Sequence, residues 1–350
     1  MLGVAAGVGA AAVCAAAILG IPHIHARPRP HPQTAPSAAP KGPPAVRFDP
    51  SHPPPAWTGP LPYPLLVADA GLGRAVEVSP NGTVLWQSPS APGGAPATAA
   101  AFTADGQDVV LVGEQQGLAE EVRFPSGSVL WRYPASGTLS HPTAAAPLGN
   151  GDVVVADTRA CQLLLLSPSA TLAATWGAAQ SGYCTSAPAA GRFGYPESAV
   201  ALANGDVLVG LAAQDQIALL SPQGHALWGV PAPPLFGGFV VDATPGPGSL
   251  VVVTGFSNPG TVTAFNPANG AVAWTYHPTS GQGVLNDPRA AIALPNGDVA
   301  VADSGGGRVL VFAPSTGRVL WQYGGPGKLS DPTGLALDLW RNWQGVPGKA

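Results

Sequence analysis

The 350-residue chain sets 15 Lys and Arg against 19 Asp and Glu, a net charge of −4, while 46% of its residues are hydrophobic types. No basic stripe is present, which excludes the electrostatic footprint of a nucleic-acid-binding protein. So low a charge content is also unusual for a soluble cytoplasmic protein. Gly (46) and Pro (41) are abundant but fall mostly at regular turn positions, which favours an all-β fold over disorder.

From Leu2 to Pro22 there is no charged residue, only Ala, Gly, Val, Leu and Ile besides Cys14 and the closing Pro22. This length suits a spanning helix or the apolar region of a signal peptide. Residues 1–22 are therefore expected to engage the membrane and to place the rest outside the cytoplasm, anchored or secreted. No Lys or Arg precedes the run, whereas Arg27 and Arg29 follow it, and cleavage after Ala26 is one option. Cys14, preceded by Val13 rather than a small residue, resembles a lipoprotein acceptor poorly. Residues 23–61 form a Pro-rich linker in which fixed φ and missing donors give an extended spacer without a core. His23, His25 and His31 are expected to be solvated bystanders within it.

Residues 62–340 repeat. Trp86, Trp131, Trp176, Trp228, Trp274 and Trp321 stand 45, 45, 52, 46 and 47 residues apart and close similar phrases, such as SPNGTVLW and APSTGRVLW. Each phrase follows an apolar run, for example LLLL at 163–166 or VLVF at 309–312. An earlier run is often introduced by Asn-Gly, as in NGDVVVAD and PNGDVAVAD, which predicts a type I′ turn. Each unit thus reads as strand A, turn, strand B, loop, strand C, Gly turn, and strand D ending in Trp. Four antiparallel strands per ~45 residues is the pattern of a propeller blade. The first unit begins at Pro64 with PLLVAD, a strand B, and DPTGLALDL (331–339) after the last unit is a strand A lacking its B. Pairing the two closes a ring of six blades, with the tryptophans expected to be largely buried between neighbours. Residues 341–350 read as a tail.

The segment DPRAAIALPNGDVAVADSGGGRVLVF (287–312) resembles an NHL repeat, as does DPTGLALDL. The linkers GRFGYPES (191–198) and YGGPGKLSDP (323–332) are similar to that family's glycine-rich passage into the next blade. The C–D phrases, several with Gly-x-x-x-Trp, are similar to the repeats of quinoprotein-like propellers. Over about residues 62–340 the resemblance implies an all-β, six-bladed β-propeller. It implies little about activity, because function resides in sites grafted on a fold.

On a propeller the B–C and D–A loops share one rim of the channel, and the A–B and C–D turns lie on the other. His141, Glu197, Arg289 and Asp331 stand at or just before strand A in four blades, on the first rim. Such a set can serve acid–base work, anion binding or polar contacts to a partner. Asp69, Asp157 and Asp303 each end strand B in a VAD phrase. They are weak candidates for a cation site and are expected instead to bond backbone N–H groups in Asx turns. Cys161 falls in the B–C loop of the third blade and Cys184 in the long D–A loop leaving it. Sharing one rim in an oxidising compartment, the two are expected to form a disulfide, leaving Cys14 unpaired.

Known six-bladed enzymes resemble the chain only in part. Peptidyl-amidating lyases hold zinc through histidines at the mouth; here His141 and His277 fall on that rim and His225 on the other. In six-bladed arylsulfotransferases an acidic residue follows the strand-A histidine, but Pro142 follows His141. Pyrroloquinoline-quinone dehydrogenases have eight blades and vicinal cysteines, neither of which is found here. No nucleophile elbow, P-loop or His-Glu-x-x-His helix occurs. The sequence therefore reads as a binding or scaffold module for a protein, peptide or glycan, engaging it at the B–C/D–A rim, with no catalytic residue and no cofactor. The alternative is a metal-dependent hydrolase or lyase using calcium or zinc at the channel mouth.

Overall fold

The computed structural model describes residues 60–88, 97–135, 138–178, 180 and 183–339. The apolar segment 1–22 with Cys14, the linker up to residue 59 and the tail 341–350 lie outside the described residues. Among the described residues, no helix is long and apolar enough to cross a membrane.

The chain forms six four-stranded antiparallel sheets. Blade three shows the plan, with A at Pro142–Pro147, B at Val153–Asp157, C at Gln162–Leu166 and D at Leu172–Trp176. The Val-rich B strands are buried along their whole length, as in Leu65–Asp69 and Val299–Asp303. They read as unbroken apolar runs because a blade packs against a neighbour on each face, so both side-chain sets are covered. Outer D strands such as Leu172–Trp176 are mostly exposed.

Ring closure follows the sequence expectation. Blade one takes its A strand from Pro332–Leu337, which pairs with Leu65–Asp69 in the register Leu65↔Leu337 to Ala68↔Gly334. The A–B turns differ from expectation. At Gly151, Gly205 and Gly297 the glycine has positive φ, but the preceding asparagines do not. Gly151 N–H bonds Leu148 O at 3.0 Å and Leu148 N–H bonds Asp152 O at 2.7 Å. This is a type I turn closed by a left-handed Gly, in which the Asn150 carbonyl accepts from Asp152 N–H. Asparagine is thus selected for its side-chain acceptor rather than for positive φ.

Trp86, Trp176 and Trp228 are buried, whereas Trp131, Trp274 and Trp321 are half-buried, which corrects the expectation for those three. The tryptophans stand on outer strands, and only part of each ring reaches the next blade. Trp86 and Trp321 also bond across to the next blade: Trp86 Nε1 donates to Pro125 O and Trp321 Nε1 to Pro80 O, each at 2.9 Å.

An A strand has an unpaired edge facing the channel, and its N–H and C=O groups need partners. Neighbouring blades supply several of them. Thr143 Oγ1 donates to Pro196 O at 3.3 Å, Ser198 Oγ accepts from Ala243 N–H at 3.0 Å, and Thr333 Oγ1 donates to Thr98 O at 2.6 Å. The blades are therefore stitched around the channel as well as packed face to face.

Candidate functional site at the channel mouth

In five blades the pairing of strands A and B shifts by one residue near the start of strand A. The extra residue is Thr143, Glu197, Val241, Arg289 or Thr333. A β-bulge re-aims one side chain out of the strand alternation. All five of these residues line a cavity of about 370 Å³ at the mouth of the channel. Blade two pairs Ala99–Phe102 without a shift and supplies Thr98 to the same wall.

Local sequence explains the repeated bulge. Pro142, Pro196, Pro288 and Pro332 each begin an A strand, where a missing N–H costs the ladder nothing. The residue before the proline has positive φ at His141 (70°), Tyr195 (49°) and Asp287 (52°). That left-handed step is uncommon for residues with a Cβ, and it turns the chain from the D–A loop into the strand so that the residue after proline faces the mouth.

Of the four rim residues read from sequence, Glu197 and Arg289 occupy bulge positions and line three adjoining cavities. His141 lines the outermost, of about 710 Å³, and its Nε2 lies 2.5 Å from Glu114 Oε1. Asp331 lines the 370 Å³ cavity from the side, with its carboxylate taken by the Ser304 hydroxyl. Beneath the mouth runs a channel cavity of about 390 Å³ walled largely by alanines, including Ala144, Ala199, Ala290 and Ala336.

Burial pushes the Glu197 carboxyl up to about 7, against the pull of Arg289 and Arg159 and with added push from Glu114. Asp242, on the A strand Phe239–Pro245, is also raised to about 7 by burial, although the N–H groups of Ala291 and Ala243 and the Ser198 hydroxyl bond it. Sequence reasoning missed Asp242, Glu114 and Arg159. Only Asp242 carried a signal, as a lone carboxylate in an otherwise apolar strand.

Aromatic rings border this side of the mouth. The Arg289 guanidinium lies 4.4 Å from the Phe256 ring centroid, and Phe239 packs on Phe256 at 5.3 Å. Tyr183, 73% exposed, meets Tyr195 edge-on at 5.3 Å. The Tyr183 loop is anchored by the Cys161–Cys184 disulfide, with Cα atoms 5.9 Å apart and both residues buried, as the sequence led us to expect.

Each VAD aspartate ties the end of strand B to the chain leading into strand A of its own blade. Asp69 accepts from the N–H groups of Asp331 (2.9 Å), Ser330 (3.2 Å) and Leu72 (3.4 Å). Asp157 accepts from Ser140 N–H, and Asp303 from Asn286 N–H (2.6 Å) and Arg308 Nε (2.7 Å). Only Asp69 also makes the expected Asx-type bond. No group of three or more His, Cys, Asp or Glu able to hold a metal ion occurs among the described residues. His277 is engaged elsewhere, contacting Thr261 Oγ1 and Gly260 O and stacking on Phe236.

A family model, PQQ_2, described as outer membrane protein assembly factor BamB, matches residues 72–234 and 185–330. None of the curated proteins matches significantly. Among solved structures, a protein of unknown function from Bacteroides caccae is 16% identical with a TM-score of 0.59, covering 78% of this chain and 97% of its own. A streptogramin B lyase is 13% identical with a TM-score of 0.55, covering 80% of this chain and 88% of its own. Virginiamycin B lyase from Staphylococcus aureus is 12% identical with a TM-score of 0.55, covering 76% of this chain and 82% of its own. At these identities the structures share the fold alone. The match over most of the propeller, together with the PQQ-type repeat, shows that the chain belongs to the PQQ_2 family described as outer membrane protein assembly factor BamB.

Proposed function

We propose that this protein is an extracytoplasmic binding module that holds a segment of a partner protein at the B–C/D–A mouth, with residues 1–22 delivering it to or through the membrane. The observation that carries this reading is the bulge repeated in five blades, which turns one side chain of each toward a single mouth bordered by exposed aromatics. Aromatic and Arg side chains are the groups most enriched where protein interfaces concentrate their binding energy. The family description, an assembly factor of outer membrane proteins, supports a protein partner in general. His141, Glu197, Arg289 and Asp331 supply the polar contacts, and no cofactor takes part.

A second reading, a hydrolase or lyase, is favoured by Glu197, whose carboxyl near neutrality suits proton transfer at the mouth. In that case calcium or zinc would assist at the mouth, and Asp69, Asp157 and Asp303, engaged within their own blades, would have to release their backbone partners to bind it. Cross-linking of the native protein to its membrane extract, followed by mass spectrometry, tests the first reading. Cross-links are expected to map to the loops 177–195 and 275–288 and to disappear when His141, Glu197, Arg289 and Asp331 are all replaced by Ala, with folding intact. Stoichiometric metal, together with turnover of ester or lactone substrates that the same replacements abolish, would overturn it.

A further inference from the structure

Among the described residues, Arg289 and Arg159 at the mouth make no hydrogen bond or ion pair through their guanidinium groups, although both act on Glu197 through their charge. Arg289 lies over the Phe256 ring, and Arg159 is exposed on the B–C side of blade three. Both line the outer cavity together with Glu197, Tyr183, Tyr195 and Phe239. A cation over a ring face uses none of its N–H donors, so those of Arg289 remain available for a carboxylate, which a guanidinium can bind through two bonds.

The geometry points to capture of a free peptide C-terminus: the terminal carboxylate bonds Arg289, and an apolar last side chain lies between the aromatic border and the alanine-walled channel. This rests on the mouth being the partner-binding surface proposed above. Charge selects the class of anion. Glu114, Glu197 and Asp331 face the same mouth as the two arginines. A phosphate dianion brings two charges against Glu114 and Asp331, whereas a carboxylate brings one, in a planar form that matches one guanidinium. Glu197, held near neutrality by burial, repels such a ligand less than an exposed carboxylate does. The channel cavity of about 390 Å³, which shares Glu197 and Arg289 with the mouth, has room for an aromatic or large aliphatic side chain. Capture of a C-terminal carboxylate by positioned donors is an established mode of peptide recognition.

The test is fluorescence polarisation with the full chain and labelled peptides ending in each of the twenty residues, each as the free acid and as the C-terminal amide. A 3-phenylpropionate competitor serves as the small-carboxylate arm. Free acids ending in aromatic or large aliphatic residues are expected to bind about tenfold or more tightly than their amides, the worth of one charge-assisted pair. Arg289→Gln, which keeps a planar group over Phe256, should erase the acid–amide difference. Arg289→Lys should retain only part of it, and both variants should melt like the native protein. Equal binding of acids and amides would overturn the carboxylate inference while leaving the mouth as a binding surface. No binding of either set would overturn both. Binding of 3-phenylpropionate with no binding of peptides would overturn the peptide form.

Discussion

Asp242 in blade five accepts a hydrogen bond at 3.0 Å from the backbone N–H of Ala291 in blade six. This places a buried carboxylate at the seam between two blades, close to the bulge positions Val241 and Arg289.

That seam has a pH dependence. Burial raises Asp242 from 3.8 to about 7, so the folded chain holds the proton more tightly than the unfolded chain. Its stabilising contribution is complete below pH 3.8 and is lost as pH rises through about 7; Glu197, raised from 4.5 to about 7, acts in the same direction. Asp242→Asn keeps an acceptor for Ala291 N–H and cannot ionise. It is expected to raise stability at pH 8 by about 1–3 kcal/mol and to flatten the dependence of Tm on pH between about 4 and 8. A Tm profile that keeps its slope in this variant would refute the assignment.

The VAD aspartates should differ in weight. Asp69 satisfies three backbone N–H groups, whereas Asp157 satisfies that of Ser140 and leaves its Oδ1 without a hydrogen-bond partner. Asp69→Ala is expected to cost about 2–4 kcal/mol and Asp157→Ala about 1–2 kcal/mol, by the desolvation of orphaned donors. Urea denaturation of the two variants gives the ranking, and equal costs would contradict the latch at blade one.

The disulfide spans 23 residues. Closing a loop of that length is worth about 3 kcal/mol in the chain-entropy description. Replacing both Cys161 and Cys184 by Ser should lower stability by about this amount and weaken ligand binding through the released Tyr183. Unreduced peptide mapping of exported protein should recover the linked pair; two free thiols would exclude it.

The tryptophans separate into two groups. Trp228, 7% exposed, packs with Leu219 and Leu235, whereas Trp131 is half-buried and bonds Glu121 within its own blade at 2.7 Å. Trp228→Ala is expected to cost about 3–5 kcal/mol and Trp131→Ala clearly less, by calorimetry. Identical losses would mean that the six positions are equivalent after all.

The strand pattern, the six repeats, the closing strand and the pairing of Cys161 with Cys184 were all legible from residues alone. These features rest on local signals: turn glycines, unbroken Val runs, Trp spacing, and the fact that each loop of a blade has a known face. The rim was legible too, because a residue's place before or after a strand decides its face.

What the tertiary structure decided was which of those residues reach the mouth and what surrounds them. Glu197 and Arg289 point inward because a bulge shifts their pairing with strand B, and pairing register depends on a second strand rather than on the A strand's own pattern. The burial that raises Asp242 and Glu197 comes from the surrounding blades, and the contact of Arg289 with Phe256 likewise joins residues of two blades. Blade identity is local in the chain, whereas the chemistry of the mouth arises between chain segments that only the closed ring brings together.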